Sequence, residues 1–219
     1  LTALQRALDA VAHDDSARVV VLAAEGKAFC AGHNLKDMAA HPELAWYQQL
    51  FSQCSRMMLS IHKLPVPVIA RVQGMATAAG CQLVAQCDLA VASDNASFAT
   101  SGIHCGLFCA TPSVPLVRNV PAKRAMEMLL TGDFIDARTA LAQGLVNRVV
   151  AADALDAEVE KLVHSILEKP RTAVAMGKAL VYQQRALGLE AAYQLAGQTM
   201  ACNMMDAAAQ EGARAFAEK

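Results

Sequence analysis

The apolar positions of this chain change period several times, and each change marks an element. Leu1, Leu4, Leu8 and Val11 recur at helical spacing until His13, Asp14 and Asp15 break the pattern. Arg18 to Ala23 (RVVVLA) then reads as a buried strand, because its apolar residues are contiguous and mostly β-branched. Glu25 to Met38 is more polar, holds two glycines and predicts a loop, after which Pro42 suits the first turn of a long helix bearing Leu44, Leu50, Phe51, Met57, Met58 and Ile61. Val66, Val68, Ile69 and Val72 predict a strand buried on both faces, ended by Gly74 as the first residue free to take a positive φ. Thr77, Ala78, Ala79 and Gly80 form a turn of small residues that opens a short helix over Cys81 to Gln86.

Further along, Leu89 to Ala92 predicts a strand and Asn95 to Thr111 an irregular loop holding Gly102, His104 and Gly106. Pro121 opens a helix closed by Gly132, Asp136 caps a shorter one that ends at Gly144, and Leu145 to Val150 supplies a last strand. From there the pattern is helical throughout: Leu155, Val159, Leu162, Val163 and Ile166 form one stripe, and Pro170 opens the next helix. The order predicts an α/β core over residues 1–150 and a helical region over 151–219, whose Met200, Met204 and Met205 serve core or subunit contact.

Composition narrows the function classes. With 219 residues, 55% of them apolar, the chain can bury a sizeable core. A formal net charge of −1 and the lack of a basic run give no surface for nucleic acid or an anionic membrane, and no apolar run reaches bilayer-spanning length. The first residues carry no signal or transit pattern and begin directly in a helix, which predicts a fragment of a longer chain. Seven cysteines, an odd number without a CxxC pair, are expected to be reduced, buried, small hydrophobes in a reducing compartment, with no metal site.

Two glycine-containing loops follow buried strands, AFCAGHNL and QGMATAAGCQL. On neighbouring strands they lie at one sheet edge, each offering a backbone N–H, one near His33 and one near Ala79. Two converging N–H groups at a helix start suit an enolate or tetrahedral oxyanion. The segments AFCAGHNLKDM, PVPVIARVQGMATAAGCQLVAQCDLAVASDNASFAT, MEMLLTGDFIDARTALAQGLVNRVV and EGARAFAEK together resemble, in order, the crotonase (enoyl-CoA hydratase/isomerase) family. The resemblance implies a ββα superhelix with a C-terminal helical trimerisation region, normally preceded by a strand pair that would lie ahead of Leu1. It implies coenzyme A thioesters as substrate or ligand without a permanently bound cofactor, and a trimer or dimer of trimers. By the same resemblance His33 and Ala79 would donate the oxyanion-hole N–H groups. Ala31, His33, Asn34, Leu35, Lys36 and Ala79 would meet the substrate. The protein would be cytoplasmic in a bacterium and in the mitochondrial matrix of a eukaryote.

Two departures from the family pattern bear on the chemistry. Active hydratases of the family carry one glutamate after the Gly-Cys of the central helix and another in the loop after the next strand; this chain has Gln82 and Gly102. Hydration needs one group to activate water and another to handle the second proton, and neither residue can do so. A positive φ would account for a glycine at 102. His104, two residues on, is the best replacement base, against the alternative of a loop histidine in contact with backbone or solvent; His33, Cys105 and Cys109 lie in the same loops, His33 reading as a backbone donor whose ring shapes the pocket, and Asp37 and Asp94 read as exposed. These departures, with the ATAAGCQL and GLFC segments, resemble one branch of the family. Two functions follow as expectations: an acyl-CoA enzyme with chemistry other than efficient hydration, or a non-catalytic acyl-CoA binding or regulatory protein of lipid metabolism.

Overall fold

Three of the stretches of chain between successive helices supply two strands rather than one. In the computed structural model, which describes residues 1–218, β1 (Val20–Leu22) is followed by β2 (Ala28–Cys30), β3 (Val68–Val72) by β4 (Met75–Thr77), and β5 (Leu89–Ser93) by β6 (Ser97–Ala99). The first member of each pair enters a parallel sheet completed by β8 (Arg148–Val150), in the order β1-β3-β5-β8. The second enters another sheet, β2-β4-β6-β7, in which β7 (Ile135–Asp136) alone runs antiparallel. Before the first pair comes α1 (Thr2–Ala12); between the pairs lie α2 (Leu35–Ala40) and α3 (Leu44–Lys63), then α4 (Ala79–Gln86). After β6 come α5 (Ala110–Asn119) and α6 (Ala122–Thr131), with α7 (Ala137–Ala142) between β7 and β8. The repeat is therefore ββα, and α8 (Leu155–Leu167), α9 (Arg171–Gln184), α10 (Leu189–Met204) and α11 (Ala207–Ala217) close the chain.

The apolar run of β3 is explained by what covers it. Val68, Ala70 and Val72 face the main core with Cys54, Met57, Met58 and Ile61 of α3 and Val84 of α4. Ile69 and Val91 face the other way, onto the Leu155, Val159, Leu162, Val163 and Ile166 stripe of α8. A parallel strand covered on both faces has no polar side to alternate with.

Several expectations change. β2, β4, β6 and β7, each two or three residues long, fall in stretches whose pattern reads as loop or turn, and so do α2 and α5. Strands that short leave no measurable periodicity, and Pro112 and Pro115 within α5 conceal a helix. β1 is not buried: it pairs only with β3 at the sheet edge and leaves Val21 exposed. Gly74 does not have a positive φ; a Cβ there would collide with the Lys27 carbonyl oxygen, and one on Gly80 with that of Cys30. Close approach of β2 to the flanks of β4, not turn conformation, is what requires those two glycines. All seven cysteines are free, but Cys105 and Cys202 are exposed rather than buried.

A polar cluster that the sequence pattern does not reveal fixes α9 to the core. Asp88 accepts from Val68 N–H, Lys178 Nζ and Tyr182 Oη, each at 2.7 Å, and Lys178 also donates to the carbonyls of Ile61 and Val66 at 3.0 and 2.9 Å. The Lys178 side chain is 6% exposed, and burial pulls its pKa down against the opposing charge of Asp88.

Candidate functional site

β2 and β4 are parallel neighbours, their register shifting between Ala28 and Cys30 so that Cys30 lies opposite Ala76, and the loop after β2 and the start of α4 emerge side by side. Gly32, at φ +92°, is where they touch: a Cβ on it would lie 3.1 Å from Ala78 Cβ and 3.3 Å from Ala79 N. Ala78, the residue preceding α4, is a non-glycine residue held at φ 51° and ψ −119°, a conformation that costs roughly 1–3 kcal/mol. It turns the chain so that Ala79 opens the helix. Neither His33 N–H nor Ala79 N–H finds an acceptor among the described residues, as expected for a first helical turn at Ala79.

These two residues stand between two cavities. One, of about 200 Å³, is walled by Ala31, Leu35, Met38 and Phe51, by Ala78, and by Ser101, Gly102, Cys105 and the Leu107 to Pro112 segment. The other, of about 460 Å³, lies under α1 and α3 and meets Leu4, Gly32, Asn34, Asp37, Cys54 and Leu83. His33 and Ala79 line both. The smaller cavity is apolar, and no Asp, Glu, Lys or Arg side chain among the described residues lines it.

The sequence-predicted residues divide accordingly. Ala31, His33, Leu35, Ala79 and Gly102 are brought together on the smaller cavity. Asn34 caps α2 by accepting from Lys36 N–H at 3.0 Å and lines the larger cavity; Lys36 is exposed and lines neither. Gln82 is 3% exposed on α4, lines neither cavity, and its Oε1 has no hydrogen-bond partner among the described residues. His104 is not brought to the cavity: its Nε2 lies 3.2 Å from the Gly132 carbonyl oxygen, and the ring packs on the end of α6. Gly102 has no positive φ. A Cβ there would lie 2.6 Å from the Leu107 carbonyl oxygen and 2.9 Å from Cys109 Sγ, so space, not turn conformation, explains the glycine.

His33 carries one of the two free N–H groups, and its side chain is titratable. Its ring meets Phe51 edge-on at 5.8 Å between centroids, and its Nε2 is buried without a partner among the described residues. Burial first, then the positive amino terminus, lowers its pKa. Cys109 is buried on the cavity wall, and desolvation raises its thiol pKa, opposed by a Gly102 N–H. Sequence reasoning does not find Met38, Phe51, Leu107 or Phe108 as wall residues; the one available signal is the apolar GLFC segment directly after the substituted position.

Three comparisons place these features among known proteins. The family model described as enoyl-CoA hydratase/isomerase matches residues 1–219. The mitochondrial enoyl-CoA hydratase domain-containing protein 3 of Xenopus laevis is 44% identical over 219 residues, covering 100% of this chain and 74% of that protein. Among solved structures, an enoyl-CoA hydratase of Mycobacterium smegmatis superposes with a TM-score of 0.98 at 60% identity over 99% of this chain and 84% of its own. Human enoyl-CoA hydratase domain-containing protein 3 does so with a TM-score of 0.95 at 44% identity, over 99% and 86%. The branch resemblance carried by ATAAGCQL and GLFC is thus matched across the whole chain.

Proposed function

From the premise that this chain belongs to the enoyl-CoA hydratase/isomerase family, we propose that it binds acyl-CoA thioesters across the wall formed by His33 and Ala79. The acyl group occupies the apolar cavity of about 200 Å³ and the coenzyme arm the cleft of about 460 Å³. The thioester carbonyl lies between them, where the N–H groups of His33 and Ala79 have no other acceptor and serve as an oxyanion hole. The observation that carries this reading is that the two residues with free donors are the two shared by both cavities. An apolar cavity of about 150 Å³ holds a benzene molecule, so the acyl cavity suits a chain of roughly six to eight carbons.

The chemistry supported here is stabilisation of charge on the thioester oxygen, as in enolate formation or acyl transfer, without carboxylate-assisted hydration. Ala79→Pro is the direct test. Proline removes one donor, so hexanoyl-CoA binding by calorimetry should weaken at least roughly tenfold, the value of a single hydrogen bond; a residue before proline favours extended backbone, which Ala78 at φ 51° and ψ −119° does not have, so the melting temperature should fall as well. Unchanged affinity would remove Ala79 from the site.

We also propose a trimer or a dimer of trimers. α9 to α11 bury little in this chain: Ala192 is their one buried residue among those described, while Leu189, Tyr193, Met200, Met205 and Phe216, the last 82% exposed, face outward. An apolar surface that extensive is normally covered by another subunit. Light scattering at micromolar concentration should give at least three times the chain mass; a stable monomer would count against it.

A further inference from the structure

With the hydratase glutamates replaced by Gln82 and Gly102, the site described above lacks an obvious group to move a proton, yet one side chain stands in its wall unclaimed. His33 lines both cavities, and no hydrogen bond to either nitrogen of its ring forms among the described residues, although Nε2 is buried. Folding normally gives a buried imidazole nitrogen a partner; Nε2 is closed off from the cavities, and the nitrogen a ligand can reach is Nδ1, which is not buried and has no partner among the described residues. The rival groups are less suited. His104 is turned to the Gly132 carbonyl, Gln82 lines neither cavity, burial raises the Cys109 thiol pKa, Cys105 is exposed, and no carboxylate or ammonium side chain among the described residues reaches the acyl cavity.

We propose that the His33 imidazole is the catalytic base and acid of this site, exchanging a proton with C2 of a bound acyl-CoA. The proposal rests on the thioester-binding reading above and adds to it the group that acts on the substrate. The C2–H bond breaks, its electron pair passes into the thioester carbonyl to form an enolate, and the proton moves to the imidazole. The N–H groups of His33 and Ala79 hold the enolate oxygen. Delivery of the proton back to C2 or, in a chain with a C3=C4 double bond, to C4 with that double bond moving to C2=C3, restores the thioester and a neutral ring. One residue thus offers its backbone to the oxygen and its side chain to the neighbouring carbon. Burial keeps the ring unprotonated near neutral pH, the form that accepts a proton.

The test is hydrogen–deuterium exchange at C2 of hexanoyl-CoA in D2O, followed by mass spectrometry, with binding measured in parallel by calorimetry. The wild-type protein, His33→Ala and His33→Gln are compared at saturating ligand; both variants keep the backbone N–H. Wild type should exchange the C2 hydrogens, and both variants should bind hexanoyl-CoA but exchange it at least about 100-fold more slowly, the lower range for a positioned general base. Added imidazole should restore exchange to His33→Ala, which a ring that only shapes the pocket would not allow. Bound ligand that wild type fails to exchange, equal rates in wild type and variants, or a loss that imidazole does not rescue would each overturn the proposal. Absence of any hexanoyl-CoA binding by wild type would instead overturn the thioester reading on which it stands.

Discussion

Hydration of crotonyl-CoA by this protein is expected to run at least about 10²-fold below an ordinary enzyme turnover of roughly 1–10³ s⁻¹. Of the two general acid–base roles, each worth roughly 10²–10⁴, the proton at C2 falls to His33, while activation of water has no carboxylate to fill it, since none among the described residues lines the acyl cavity. Gln82→Glu alone should recover little, because residue 82 is buried away from both cavities. Adding Gly102→Glu should not rescue it either. The first side-chain carbon would meet the Leu107 carbonyl oxygen at 2.6 Å and Cys109 Sγ at 2.9 Å, and the Leu107 N–H is itself bonded to the Gly102 carbonyl at 3.1 Å. Even Gly102→Ala is expected to cost about 1–3 kcal/mol through overpacking, which lowers the melting temperature by roughly 2–12 °C in a chain of this size. Steady-state assays on wild type, both single glutamate variants and the double variant, with melting curves for Gly102→Ala, check both halves. Crotonyl-CoA turnover at enzyme rates in wild type would sink the first, and an unchanged melt the second.

The largest stability effect is expected at Asp88. It holds three donors from two elements, β3 and α9, and its removal leaves Lys178, 6% exposed, as an uncompensated buried charge with a phenol facing no acceptor. Breaking a buried pair in this way costs about 3–5 kcal/mol, so Asp88→Ala should lower the melting temperature by roughly 6–20 °C. Lys178→Met added to Asp88→Ala should return part of that loss, because the stranded charge goes with it. Differential scanning calorimetry on the three proteins decides; a drop under about 2 °C for Asp88→Ala would show that α9 is held by its apolar contacts alone.

What could be read in the sequence depended on length and on distance along the chain. The ten-residue and longer stripes of α1, α3 and α8, the doubly covered β3 and the caps at Gly132 and Asp136 were legible because their patterns repeat or their chemistry is local. The entire second sheet was not, since no strand in it exceeds three residues and each is held by partners far away in sequence. Ala31, His33, Leu35, Ala79 and Gly102 were named from their motifs and do share a cavity. The fate of His104 was decided by Gly132, 28 residues away, and that of Lys178 by Asp88, 90 residues away. Gly74 and Gly102 were recognisable as special, but the sequence could not distinguish a residue chosen for its φ from one chosen for want of room.

The Leu107 carbonyl beside Gly102 also bears on what the site can become. A residue of a cavity wall can ordinarily gain a carboxylate by one substitution, provided there is room for it. Here the room is taken by main chain, which no side-chain trimming can clear, so residues 105–109 must re-route before a glutamate at 102 becomes tolerable. Intermediates on that route would lose the present cavity wall before gaining another. The loop acts as a ratchet: with the Leu107 carbonyl in place, selection has more accessible ground elsewhere in the wall than in a carboxylate at 102.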